Sequence, residues 1–116
     1  MAVQFDPAAF AQRQLEAYNE RNLERFLAEY TEDVAAYRLP SGEAVAVGKQ
    51  AFGEHYRKNR FSLPNLYAEL VSRMVLGNKV IDQERVFGVS EQPMEVAAIY
   101  EVTPTGIRRV WFLSAE

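Results

Sequence analysis

Two long runs that read as strands, residues 66–76 and 79–89, are separated only by Gly77-Asn78. Glycine at the first central position suits a type II′ turn, because that residue takes a positive φ. Two antiparallel strands joined so tightly demand a sheet, and charges at alternate positions make that sheet half-buried. Asp82 and Glu84 are two residues apart, so their side chains leave the same face. Arg73 lies across the hairpin at about their depth. Opposite charges gathered on one face form either a solvated surface or the polar floor of a pocket. Val80-Asp82-Glu84-Val86 is mixed in character, and so is Ile81-Gln83-Arg85-Phe87. Alternation alone therefore leaves both readings open.

At 116 residues the chain has the commonest size for one domain, read here as 1–116. Apolar residues make up 48% of it, enough for a packed core rather than extended disorder. A net charge of −3 and scattered basic residues exclude the basic stripe of a nucleic-acid binder. With no cysteine, disulfides and thiolate metal sites are excluded. His55 is the only histidine, too little for the usual multi-histidine metal site, so no metal is expected. Without a Gly-rich phosphate loop or a nucleophile elbow, no cofactor is expected either. The N-terminus is polar by Asp6, and no apolar run nears the roughly 18 residues of a membrane span. A cytoplasmic protein that binds neither nucleic acid nor membrane is the expectation.

Asp6-Pro7 opens a first helix, with Phe5 and Phe10 at the spacing of a hydrophobic staple. Phe10, Ala11, Gln14, Leu15 and Tyr18 share one of its faces. Asn22 caps a short second helix in which Leu23, Phe26, Leu27 and Tyr30 recur at helical spacing. A short hairpin follows, residues 34–39 and 44–47 around Pro40-Ser41-Gly42. Gly48 introduces a third helix over residues 49–59, with Ala51, Phe52 and Tyr56 on its apolar side and His55 beside them. After the central hairpin come two more strands, residues 94–103 and 107–113. Helices segregated from an antiparallel sheet make an α+β architecture. Four long strands have one face to bury, and three helices can cover it. If the sheet curls around them, it forms a cone with an interior cavity.

Several stretches of this order resemble the nuclear transport factor 2-like superfamily, in its ketosteroid-isomerase-like and polyketide-cyclase-like branch. They are Leu23-Glu24-Arg25-Phe26-Leu27-Ala28-Glu29-Tyr30-Thr31-Glu32-Asp33, Gly48-Lys49-Gln50-Ala51-Phe52 and Gly77-Asn78-Lys79-Val80-Ile81-Asp82-Gln83-Glu84. Ile99-Tyr100-Glu101-Val102 and Gly106-Ile107-Arg108-Arg109-Val110-Trp111 complete the set. The resemblance spans nearly the whole chain. It implies a cystatin-like cone: a curled, mostly antiparallel sheet of four to six strands around three N-terminal helices. It also implies a conical pocket and a homodimer packed through the outer sheet face. The superfamily hosts isomerases, cyclases, dehydratases and non-catalytic proteins, so fold alone does not give function. A ketosteroid isomerase needs an aspartate base and, as oxyanion donors, a tyrosine and a protonated aspartate. The base would fall near Tyr37, Arg38 and Leu39, and the second aspartate near Ala97-Ala98, but neither stretch has a carboxylate. The tyrosine would fall near Gln14, one turn from Tyr18. Steroid isomerisation by that route is not expected.

Two functional expectations follow. One is a small-molecule pocket working by cofactor-independent general acid/base chemistry, of isomerase, cyclase or dehydratase type, on an apolar or oxygenated compound. Asp82 and Glu84 would carry protons, with Arg73 fixing their charge. Tyr18, Tyr37, His55, Tyr100 and Trp111 are the candidate ligand contacts. Each also has a plainer reading: core or interface for the aromatics, a helix edge near solvent for His55, a surface ion pair for the charges. The other expectation is a non-catalytic homodimeric module that binds a ligand or partner. Arg57 to Arg60 and Arg108-Arg109 read as solvated faces. The catalytic expectation requires the carboxylates to point inward, beneath the helices.

Overall fold

The computed structural model describes residues 5–115. Its elements run α1 (Pro7–Asn19), α2 (Leu23–Leu27), β1 (Tyr30–Arg38), β2 (Ala44–Val47), α3 (Lys49–Asn59), β3 (Tyr67–Leu76), β4 (Lys79–Phe87), β5 (Met94–Thr103) and β6 (Gly106–Ser114). Local chemistry sets the helix starts. The Asp6 carboxylate accepts the Ala8 amide at 3.1 Å, and Phe5 meets Phe10 edge to face at 6.3 Å. The Asn22 side chain accepts the Arg25 amide at 3.1 Å. α2 then stops at Leu27, and Tyr30 opens β1 instead of closing the helix, which corrects its helical reading. Tyr30 is still a core residue: its ring lies 4.9 Å from Phe26 and 4.6 Å from Phe52. Ala51 is a second correction, because it faces solvent while Phe52, Gly53 and Tyr56 carry the buried side of α3.

The strands form one six-stranded sheet in the order β2-β1-β6-β5-β4-β3. All pairings are antiparallel except β1 with β6. The expected α+β architecture is present, with the sheet curled over the three helices. Gly77 takes φ +61° and Asn78 stays out of the positive-φ region, as the type II′ hairpin between β3 and β4 needs. Counting back from that turn pairs Arg73 directly with Asp82. A bulge at Val71 then shifts the register so that Leu70 pairs with Glu84. Beyond β4, Gly88 (φ +88°) passes so close to residue 65 that an added Cβ would sit 2.3 Å from the Asn65 carbonyl oxygen.

The core lies between the helices and the inner sheet face. Phe26, fully buried, sits at its centre, with its ring 4.8 to 6.1 Å from those of Tyr18, Tyr30, Phe52, Tyr56 and Phe61. The end of α1 is fastened to the edge strand. The Asn19 amide donates to the Ala68 carbonyl at 3.0 Å and accepts the Ala68 N–H at 2.8 Å, replacing a missing sheet neighbour. No helix among the described residues is long and apolar enough to cross a membrane.

Candidate functional site

β4 alternates strictly: Val80, Asp82, Glu84 and Val86 are buried, and the residues between them are not. Both carboxylates therefore point inward, beneath the helices. They meet different surroundings. Asp82 is fully buried and clamped by Arg73, Nε to Oδ1 at 2.7 Å and Nη2 to Oδ2 at 3.0 Å. Arg73 is held in turn by α1, where its Nη1 donates to Gln12 Oε1 at 3.0 Å. Glu84, only 8% exposed, has no side-chain hydrogen bond among the described residues. Every fully buried side-chain nitrogen and oxygen among them has a partner. The Glu84 oxygens are thus open to the space they face.

That space is a cavity of about 200 Å³ between the helices and the curled sheet. α1 lines it with Gln14, Leu15 and Tyr18, and α3 with His55, Tyr56 and, just past its end, Arg60. The sheet contributes Arg38, Glu84, Val86, Met94, Val96, Tyr100 and Phe112. Most of the wall is apolar, with a few polar groups converging, as in small-molecule sites generally. The volume falls below the roughly 300–1,000 Å³ of drug-sized pockets, so it suits a small compound.

Burial pushes the Glu84 carboxyl up to about 7. The negative Asp82 adds to the shift, and the Arg73 guanidinium opposes it. Tyr18 is pushed up to about 12, also mainly by burial, with the neighbouring Arg60 guanidinium pulling the other way. Burial raises Tyr100 well above its ordinary value, so it stays a phenol. Gln14 organises this phenol end. Its Nε2 donates to the Ala11 carbonyl at 2.9 Å and to the Tyr100 hydroxyl at 3.1 Å, and its Oε1 accepts from the Tyr30 hydroxyl at 2.9 Å. The Tyr100 oxygen is thereby an acceptor for Gln14, and its own proton is left to donate elsewhere.

Of the ligand contacts expected from the sequence, Tyr18, His55 and Tyr100 line the cavity. Tyr37 and Trp111 do not: they pair across β1 and β6 and stack with centroids 6.5 Å apart on the outer sheet face. Asp82 and Arg73 stand behind the cavity wall rather than in it. Among the lining residues not foreseen as site residues, three carry polar groups that bear on the chemistry. Gln14 had a legible signal, as the polar member of the apolar face of α1. Arg38 had none beyond strand alternation. Arg60 sits one residue past the last turn of α3, where periodicity says nothing, and it turns inward; this corrects its reading as solvated surface. Arg57, by contrast, pairs with Glu54 in solvent. Among the described residues no three histidine, aspartate or glutamate side chains group closely enough to hold a metal ion.

Solved structures share this architecture. An uncharacterised cystatin-fold protein from Novosphingobium aromaticivorans superposes with a TM-score of 0.82 at 21% identity, over 93% of this chain and 97% of that one. A proposed ketosteroid isomerase from Kribbella flavida gives 0.81 at 17% identity, over 95% of this chain and 78% of that one. A proposed polyketide cyclase from Sinorhizobium meliloti gives 0.77 at 14% identity, over 93% and 99%. At such identities the likeness establishes the fold. No curated protein matches the sequence. The sequence does match the SnoaL-like domain over residues 11–110, nearly its whole length. The chain therefore belongs to the SnoaL-like domain family, within the nuclear transport factor 2-like superfamily.

Proposed function

We infer that the protein is a small-molecule pocket enzyme performing cofactor-independent general acid/base chemistry, with Glu84 as the proton carrier. The observation that supports this most is a cavity-facing carboxylate with no hydrogen-bond partner, held near neutrality by its surroundings. A group poised near the working pH transfers protons in both directions. In the simplest reaction Glu84 takes a proton from a carbon beside a carbonyl, and the C–H electron pair moves to the carbonyl oxygen. Tyr100, with its proton unspent, donates to that developing oxyanion. Glu84 then returns the proton at the same or a neighbouring carbon. Arg73 and Asp82 act from behind as positioning residues, because their charges tune Glu84. The stretches where the resemblance implies an isomerase base and tyrosine carry Tyr37-Arg38-Leu39 and the neighbourhood of Gln14, with no carboxylate for the base, so the proton carrier moves to β4.

Deuterium exchange into the α-carbon positions of small cyclic ketones, followed by NMR, tests this reading. The native chain should catalyse the exchange, and Glu84→Gln should slow it about 100-fold or more. Equal rates for the two proteins would exclude the role. A second reading, a homodimer packed through the outer sheet face, is supported by exposed apolar side chains there: Met74 at 57%, Leu76 at 66% and Leu113 at 44%. Sedimentation at micromolar concentration tests it, and a monomer would refute it.

A further inference from the structure

The ionisable groups of the cavity divide into two ends. Glu84 forms one. At the other, Arg38 from β1 and Arg60 after α3 line the wall together with His55. The two guanidiniums are close enough to His55 to depress its pKa, after the larger effect of burial. No ion pair among the described residues joins either arginine to Glu84, and two strands, β6 and β5, stand between Arg38 on β1 and Glu84 on β4. Arg38 has one acidic neighbour, Glu43, at a loose 3.7 Å and in solvent. Arg60 has no ion pair among the described residues: its Nη1 donates to the adjacent Asn59 carbonyl at 2.9 Å, and its guanidinium lies beside the neutral Tyr18 phenol.

His55 completes the set as a neutral donor. The Asn59 side-chain N–H can only donate, and it lies 3.3 Å from His55 Nδ1. With that amide donating, Nδ1 accepts and the neutral ring carries its proton on Nε2. Two planar forks and one ring N–H, beside an apolar wall, match a carboxylate. This end also stands at the carbonyl end of α3, whose partial negative charge favours the guanidiniums.

We propose that Arg38, Arg60 and His55 form a carboxylate-binding subsite, so that the cavity takes small apolar monocarboxylic acids with the acid group held away from Glu84. The assignment rests on the cavity being the ligand site. It narrows the substrate class to compounds whose acid group is an anchor and whose reacting atoms lie along the apolar wall toward Glu84.

Binding of trans-cinnamate and of its neutral isostere trans-cinnamamide, by NMR titration at pH 7.5, separates the two ideas. The carboxylate should bind about tenfold more tightly than the amide. Arg38→Gln with Arg60→Gln should erase that preference, and a native-like NMR spectrum shows that the variant is folded. Arg60→Lys should keep part of it. Equal affinities in the native chain, or a preference that survives Arg38→Gln and Arg60→Gln together, would overturn the subsite and leave the cavity reading intact. If neither compound perturbs cavity resonances at millimolar concentration, the subsite and the cavity reading both fall.

Discussion

Asp82 and Glu84 are the same functional group, on the same face of the same strand, separated by one residue. Asp82 meets Arg73 directly across the hairpin, accepts two hydrogen bonds from it and is sealed from solvent. Glu84 lies beyond the Val71 bulge, where the cross-strand partner is Leu70 and offers no charge. Its oxygens open into the cavity, and its carboxyl is held near 7. A one-residue change in register thus separates an ion pair that fixes structure from an acid free to exchange protons. A buried carboxylate need not be the reactive one; what decides is whether its charge is already satisfied.

The largest effect expected of this contrast is on stability. Arg73→Met should destabilise the fold by about 3–5 kcal/mol in chemical denaturation, because it leaves the Asp82 charge buried and unpaired. Arg73→Met with Asp82→Leu should recover most of the loss, since an apolar pair of similar size avoids the desolvation cost. If the single variant costs less than about 1 kcal/mol, the ion pair is not what distinguishes Asp82. Glu84 reports the same substitution from the other side. Removing Arg73 takes away the charge that opposes its shift, so the carboxyl should titrate higher; Asp82→Asn should lower it. The side-chain carboxyl carbon of Glu84 in NMR gives both directions.

Much of this contrast was legible in the residues. Gly77-Asn78 fixed the turn, the turn fixed the register, and the register placed Arg73 opposite Asp82. The side of the sheet that becomes the interior was not legible, because both faces of β4 carry charge and period-two alternation groups residues without orienting them. The same ambiguity put Tyr37 and Trp111 among the ligand contacts, whereas the structure stacks them outside. The resemblance supplied a cone and a pocket but no acid at its customary catalytic positions. Arg60 escaped because side chains beyond a helix end follow neither helical nor strand period.

The next effect is the pH dependence of stability. Glu84 has a folded pKa of about 7 against an ordinary 4.5, so between these values the folded chain binds more protons than the unfolded one. Stability then falls as pH rises through that window and levels off above it. The shift corresponds to about 3 kcal/mol at most. Asp82 and Arg73 face Glu84 from the strands, and Tyr18, Tyr30, Tyr56 and Tyr100 surround it; the phenols are all raised and stay neutral throughout. Glu84→Gln should therefore be more stable than the native chain at pH 8 and similar to it at pH 4. Taking the difference between the two proteins cancels the other carboxylates. Parallel stability curves would mean that Glu84 is not held near neutrality.

The smallest effect probes Tyr100, the hydroxyl donor that shares the cavity with Glu84. Tyr100→Phe leaves one Gln14 N–H without its acceptor while keeping the ring, and should cost about 1–2 kcal/mol of stability. Gln14 retains the Ala11 carbonyl and the Tyr30 hydroxyl, so the amide should not swing away. If Tyr100 also donates to a developing oxyanion, exchange at the ketone α-carbon should slow by more than the binding of the same ketone weakens. A phenol that only packs would weaken both alike or neither. Reactivity would then rest on Glu84 alone.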